Sequence, residues 1–271
     1  VRKPSFVKDA KSLITLITYF SVNRFDLVVY STPKALLLGS IATSVTRHSN
    51  TIAIIRGRAY ENFSGRKRKV YELLDKISLS NSKKVIFISA SLKEAYLKEG
   101  LVSQSKSYLL GSGSSNGVNT DKFQPRNVNS GSPFTVLVAG RICNDKGIHD
   151  LAEIVGRIRN KNIIFKLVGP IEDASSEALL FSLMSNNPNI IHIPYTDNIE
   201  HHFIEADLHL FLTHREGFGN VAIEAASCGI PTFAYDIIGV KDSVKEGISG
   251  RKFDFKDTVS ISKAIEEAAL D

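Results

Sequence analysis

Glu216 and Glu224 stand eight positions apart, with the glycine-rich turn Gly217-Phe218-Gly219-Asn220 between them. Carboxylates accept hydrogen bonds from hydroxyl groups, so such a pair suits a polyhydroxylated ligand. A glycine turn that opens a helix exposes the helix's first amides, which point at an anion and carry partial positive charge; here that helix begins at about Val221. Arg141 and Lys146 offer the complementary chemistry. They sit five residues apart in a second turn, Gly140-Arg141-Ile142-Cys143-Asn144-Asp145-Lys146-Gly147, and supply a planar fork and a point charge for phosphate. Together these groups would meet the phosphates, ribose and sugar hydroxyls of a sugar nucleotide. Each pair also has a plain reading, as two acids on a surface helix and two solvated bases.

The frame around the residues weighs against the plain reading. Leu208 to Leu212 is an apolar run with the length and character of a buried parallel strand. The polar patch Thr213-His214-Arg215-Glu216 follows at its end. The helix from about Val221 stops at Gly229, and Pro231 bars its continuation. Thr232 to Tyr235 then returns to the sheet. In a doubly wound sheet the ligand lies just beyond the carboxyl ends of the strands, where both turns sit.

The rest of the chain repeats this alternation. Hydrophobic patterning predicts helices over 6–22, 33–47, 66–81 and 90–99, and strands over 26–30, 51–55 and 84–88. The stretch 111–123, GSGSSNGVNTDKF, interrupts it; Ser114, Ser115 and Asn116 lie in a loop whose amides suit a diphosphate, with a linker as the alternative. Pro125 to Pro133 reads as linker. A second series follows, with strands 134–139, 163–168 and 190–193 and helices 149–159, 174–185, 199–205 and 257–269. The pattern predicts an α/β protein of two Rossmann-like domains, 1–130 and 131–271. The chain begins at Val1 without a glycine-rich first turn, so a first βα unit is expected upstream.

The totals narrow the class. Two widely separated cysteines, Cys143 and Cys228, imply a reducing compartment and no structural disulfide. No apolar run approaches the ~20 residues of a membrane span, and no signal peptide is visible. The net charge of +6 is uneven: Arg47 to Lys84 holds ten Lys and Arg against Glu61, Glu72 and Asp75. That stretch reads either as a solvated helix face or as a surface for anionic lipid or a phosphate-bearing substrate. Nucleic acid is not expected, because no aromatic residues interleave the bases. His214 lacks a second ligand at metal spacing, and the neighbours His201 and His202 point different ways on a helix, so no metal site is expected.

The order strand, acid, Gly-Phe-Gly, helix, acid, Gly-Ile-Pro, strand resembles the E-x7-E signature of the retaining, GT-B-fold glycosyltransferases of family 4. The Gly-Arg-x4-Lys-Gly turn at 140–147 is similar to that family's donor-diphosphate turn. Residues 113–119, GSSNGVN, are close to the GSSNGVD of its polysaccharide-assembly members, with Asn119 in place of Asp. The resemblance covers essentially the whole chain. It implies two Rossmann-like domains facing across a cleft, the N-terminal one incomplete here. It implies catalytic Glu216, Arg141 and Lys146, and donor contacts from Gly217, Phe218, Gly219, Asn220, Val221 and Glu224, the last on the ribose. It implies hexosyl or N-acetylhexosaminyl transfer from a UDP-sugar to a lipid-linked or oligosaccharide acceptor, without metal or other cofactor; no DxD occurs. The expected setting is capsule or lipopolysaccharide assembly, cytoplasmic and peripheral on the inner face of the bacterial plasma membrane.

Arg56 departs from the family's commoner His-Gly pair. Arginine cannot act as a base, so it either holds a lipid diphosphate on the acceptor side, with Ser114, Ser115 and Asn116 nearby in role, or pairs structurally with Glu61. Two rival functions remain: a sugar-nucleotide 2-epimerase of related architecture, which would isomerise donor without transfer, and a nucleotide-binding module made inactive by truncation.

Overall fold

The computed structural model describes residues 5–125 and 133–270. Val1 and most of the expected linker Pro125 to Pro133 lie outside them. Two compact units divide the chain, Val1–Ser115 and Asn116–Asp271.

The first unit runs α1 (Phe6–Val22), β1 (Val28–Tyr30), α2 (Pro33–Val45), β2 (Thr51–Ile55), α3 (Gly65–Ser80), β3 (Lys84–Phe87), α4 (Ala90–Lys98) and β4 (Ser107–Leu109). Its four strands are parallel in the order β1-β2-β3-β4. Pro33 occupies the first turn of α2, where its missing N–H has no partner to lose. In β2 Thr51, Ala53 and Ile55 are buried, and α2 packs beside α3 on the helical layer.

The second unit runs β5 (Phe134–Ala139), α5 (Ile148–Arg157), β6 (Ile163–Val168), α6 (Ala174–Asn186), β7 (Ile190–Ile193), α7 (Ile199–Ile204), β8 (Leu208–Phe211), α8 (Asn220–Ser227), β9 (Thr232–Tyr235), α9 (Val240–Ser243), β10 (Gly250–Phe253) and α10 (Thr258–Ala268). All six strands are parallel, in the order β10-β9-β8-β5-β6-β7. From β5 the sheet grows one way through β6 and β7, and from β8 it grows the other way. The β5–β8 pair is therefore the switch point, where crossovers leave in opposite directions and open a crevice beyond the strand ends. Helix α5 buries Ile148, Leu151, Ile154 and Val155 against the sheet, alongside Ile261 and Ile265 of α10. Asp173 and Asp257 start α6 and α10 by accepting from Ser176 N and Ser260 N at 2.9 and 3.0 Å.

Strands β5, β6, β7 and β9 coincide with the expected spans, and most helices shift by a residue or two at their ends. Expectation omitted β4, α9 and β10. Each has only three or four residues, and Gly250-Arg251-Lys252-Phe253 carries no apolar run; pairing with β9 makes it a strand. The units also divide earlier than the expected linker. Val118 and Phe123 pack into a core cluster with Leu137 and Phe203, and Ser227 Oγ donates to Phe123 O at 2.6 Å, so the segment after Ser115 belongs to the second unit.

Candidate active site

At the switch point the carboxyl ends of β5, β6 and β8 border a cavity of about 490 Å³ within the second unit. Arg141, Lys146, Glu216, Asn220, Val221 and Glu224 all line it, as does Gly219.

The floor is set by close backbone approach. Gly169 has φ +149, and a Cβ there would stand 2.0 Å from Gly140 O, so the turns after β5 and β6 touch. Gly147 has φ +80, and its Cβ would stand 2.3 Å from Leu212 O, which presses the Arg141–Lys146 turn against the end of β8. Hydrogen bonds stitch the same two segments. His214 N donates to Asp145 O at 2.9 Å, and Arg215 Nε and Nη2 donate to Asp145 Oδ2 at 2.9 and 2.5 Å. The outcome is that Lys146 Nζ meets Glu216 Oε2 at 2.7 Å and Thr213 Oγ1 at 3.3 Å. Beneath them His214 Nε2 and Tyr235 Oη reach one carboxylate oxygen of Asp150, at 2.7 and 2.8 Å. Burial pushes the Asp150 carboxyl up, but these two hydrogen bonds outweigh it and hold the group below the usual carboxylate range. His214 is thus a structural side chain. Among the described residues no group of three His, Cys, Asp or Glu stands close enough to hold a metal ion.

Glu224 lies one turn into α8. Burial raises its carboxyl above the ordinary value, with Lys122 pulling the other way. Among the described residues its carboxylate accepts no hydrogen bond, so a hydroxyl donor entering the cavity would find it free. Arg141 is ion-paired with Glu172 from the turn after β6, its side chain 50% exposed.

Two expected donor contacts stay outside the wall. Phe218, expected to act through its backbone amide, is buried, 6% exposed, and is not among the residues lining the cavity. Gly217 N donates to Glu216 Oε1 at 3.1 Å and serves the glutamate. Of the acceptor-side residues, Arg56, Ser114 and Ser115 belong to the first unit and Asn116 to the second. Arg56 is exposed at the end of β2, and Glu61, its expected structural partner, is taken by Arg58 at 2.6 Å. Ser114, with φ +72, donates its N–H to Ile88 O at 2.7 Å, and Ser115 ends the first unit where Asn116 begins the second.

Sequence reasoning missed Pro170, Tyr195, Thr196 and Ile199 on the wall. All follow strand ends, so extending the strand-end rule to β6 and β7 finds them. It also missed Gly239. With φ +85, its Cβ would stand 2.6 Å from Glu216 O and 2.8 Å from Gly217, so this glycine sets the seat of Glu216. No local pattern marks it.

Fold and site together define a GT-B α/β protein with a crevice at the switch point lined by Arg141, Lys146, Glu216 and Glu224. The model for "Glycosyl transferases group 1" matches residues 119–271. CapM of Staphylococcus aureus, a capsular polysaccharide biosynthesis glycosyltransferase, is 32% identical over 281 residues, covering all of this chain and 74% of the relative. The UDP-Gal:alpha-D-GlcNAc-diphosphoundecaprenol alpha-1,3-galactosyltransferase of Escherichia coli is 25% identical, covering 97% of this chain and 71% of that one. Sucrose-phosphate synthase from Thermosynechococcus elongatus superposes with a TM-score of 0.81 at 21% identity, over 100% of this chain and 71% of its own. Anabaena Alr3699/HepE, solved with UDP, gives 0.76 at 18% identity, over 97% and 72%. The chain belongs to the group 1 glycosyl transferases, which sets the epimerase alternative aside.

Proposed function

We propose that this protein is a retaining glycosyltransferase that moves a hexosyl or N-acetylhexosaminyl group from a UDP-sugar to a lipid-linked or oligosaccharide acceptor in the assembly of a capsule or other cell-surface polysaccharide. The carrying observation is the convergence of Arg141, Lys146, Glu216 and Glu224 on one crevice at the switch point of the second unit. The names of the relatives support the substrate class: CapM serves capsule synthesis, and the Escherichia coli enzyme takes UDP-Gal and a diphosphoundecaprenol-linked sugar.

In this reading the ribose hydroxyls donate to Glu224 and the diphosphate lies against Lys146, Arg141 and the first amides of α8. The sugar hydroxyls reach Glu216. As the bond from the anomeric carbon to the diphosphate oxygen breaks, charge accumulates on that oxygen, and fixed cations stabilise it more than they stabilise the ground state. The acceptor oxygen bonds to the same face of the anomeric carbon and passes its proton to the departing diphosphate. No metal or other cofactor enters this scheme. On the acceptor side, Arg56 is a permanent cation for a lipid diphosphate.

The test is to incubate the full-length protein with a panel of UDP-sugars and a polyprenyl-diphosphate-linked sugar, then read the product's anomeric configuration by proton NMR. Retention with a UDP-sugar is expected. An inverted product, or turnover confined to other nucleotides, overturns the corresponding part.

A further inference from the structure

The fold sorts the ten bases and three acids between Arg47 and Lys84. Glu61 receives Arg58 at 2.6 Å, Glu72 receives Arg68 at 2.6 Å, and Asp75 takes the hydroxyls of Tyr60 and Tyr96 at 2.8 and 2.6 Å. All three acids are engaged inside the first unit, together with Arg58 and Arg68. Arg66, Lys69 and Lys76 lie exposed along α3 and form no ion pair among the described residues. Lys67, also exposed, rests 3.8 Å from the centre of the Phe63 ring.

The same side of α3 carries Val70, Leu73 and Ile77, with 55%, 57% and 37% of their surface exposed. Spacings of three and four residues set them in one stripe along the helix. The opposite side buries Ser78 and Leu79, and α3 packs against α2. At 100° per residue Lys69 and Lys76 flank the stripe on one side and Lys67 on the other, with Arg66 at its start. The 16-residue helix therefore presents an apolar row about 10 Å long, from Val70 to Ile77, edged by unpaired bases.

We infer that this face of α3 docks the protein on an anionic lipid surface. Val70, Leu73 and Ile77 enter the boundary between headgroups and acyl chains, and Arg66, Lys67, Lys69 and Lys76 meet the lipid phosphates. Charge complementarity selects this occupant: a second copy would lay four like charges against these four, whereas an anionic bilayer releases the apolar stripe and the bases from water together. The face belongs to the first unit, whereas every residue lining the donor cavity belongs to the second.

Co-sedimentation of the full chain with lipid vesicles tests this. The protein is expected to pellet with vesicles of phosphatidylcholine containing phosphatidylglycerol, to stay in solution with phosphatidylcholine alone, and to be released as salt rises. Changing Lys69→Gln and Lys76→Gln together should weaken binding about thirtyfold, from roughly 1 kcal/mol per base near the surface. Changing Val70→Ser and Leu73→Ser should also weaken binding to the anionic vesicles at low salt. All four residues are exposed, so melting temperatures close to that of the unaltered protein separate docking from misfolding. Equal binding to neutral vesicles, or indifference to both pairs, overturns the proposal. Self-association abolished by Leu73→Ser also overturns it, by assigning the face to a second copy.

Discussion

Lys146 Nζ lies 2.7 Å from Glu216 Oε2, across 70 positions of sequence, and each side chain is about a quarter exposed. The lysine rides the turn after β5 and the glutamate the turn after β8, so the switch-point pairing of those strands brings them together. Within the crevice the cation and the carboxylate neutralise each other. In the function we propose, a diphosphate entering there would compete with Glu216 for Lys146, and the sugar hydroxyls would then replace the lysine as donors to Glu216.

Glu216→Gln removes the competitor and keeps its shape. UDP should bind at least as tightly as to the unaltered protein, measured by calorimetry, while transfer falls by about 10²-fold or more. Lys146→Ala should do the converse to binding: UDP weakens about 10- to 100-fold, the worth of a charged hydrogen bond, and uridine hardly changes. Equal losses for UDP and uridine would contradict a diphosphate contact.

Glu224 carries a carboxyl raised by burial above its ordinary value of 4.5. A raised group binds its proton more tightly in the folded state, so its contribution to stability is present at low pH. It is lost as pH climbs from the ordinary value through the folded one. Glu224→Gln should therefore raise the melting temperature at neutral pH, by about 2–4 °C for each kcal/mol relieved, and give no gain below the ordinary glutamate range. The same change should cut the preference for UDP over its 2′-deoxy form about tenfold.

Gly239→Ala places a Cβ 2.6 Å from Glu216 O on a backbone at φ +85. The Glu216–Gly217 segment must move. A shift near 1 Å at a reacting group costs about 10²-fold in turnover, with UDP affinity much less affected. A kinetic assay with unaltered turnover would remove Gly239 from the site.

Asp150 has a depressed carboxyl in the folded protein, held by His214 and Tyr235 against the effect of burial. The stability it supplies is present above its ordinary value of 3.8 and is lost as pH falls through the folded value. Asp150→Asn should cost about 1–3 kcal/mol at pH 7, and thermal melts should show the gap to the unaltered protein closing below that range. Its effect on transfer passes through His214 and the turn that seats Glu216.

Much of the fold and site is local in origin, and that part is legible along the chain. An apolar strand, a glycine and a charged turn recur at β5 and β8, so Arg141, Lys146 and Glu216 announce themselves as strand-end groups, and Glu224 as a residue one turn into the helix that follows. Phe218 shows where local reading stops: the glycine turn marks out its backbone amide, and only tertiary packing decides that the residue itself is buried, 6% exposed. Short strands such as β4 and β10 carry no signal of their own, because a neighbour's hydrogen bonds make them strands.

The sequence by itself determined the alternating α/β class, the two strand-end turns and the excess of bases between Arg47 and Lys84. Each follows from short-range periodicity, backbone freedom at glycine, or a count of charges. Tertiary structure decided which partners those residues keep: Lys146 with Glu216, Arg141 with Glu172, Asp150 with His214 and Tyr235. It also decided that Gly239 underlies Glu216 and that the acids of the basic stretch are engaged within the unit while its lysines face water. These pairings span tens of residues, and their geometry is set by sheet order and close backbone contact, which no local stretch of chain encodes alone.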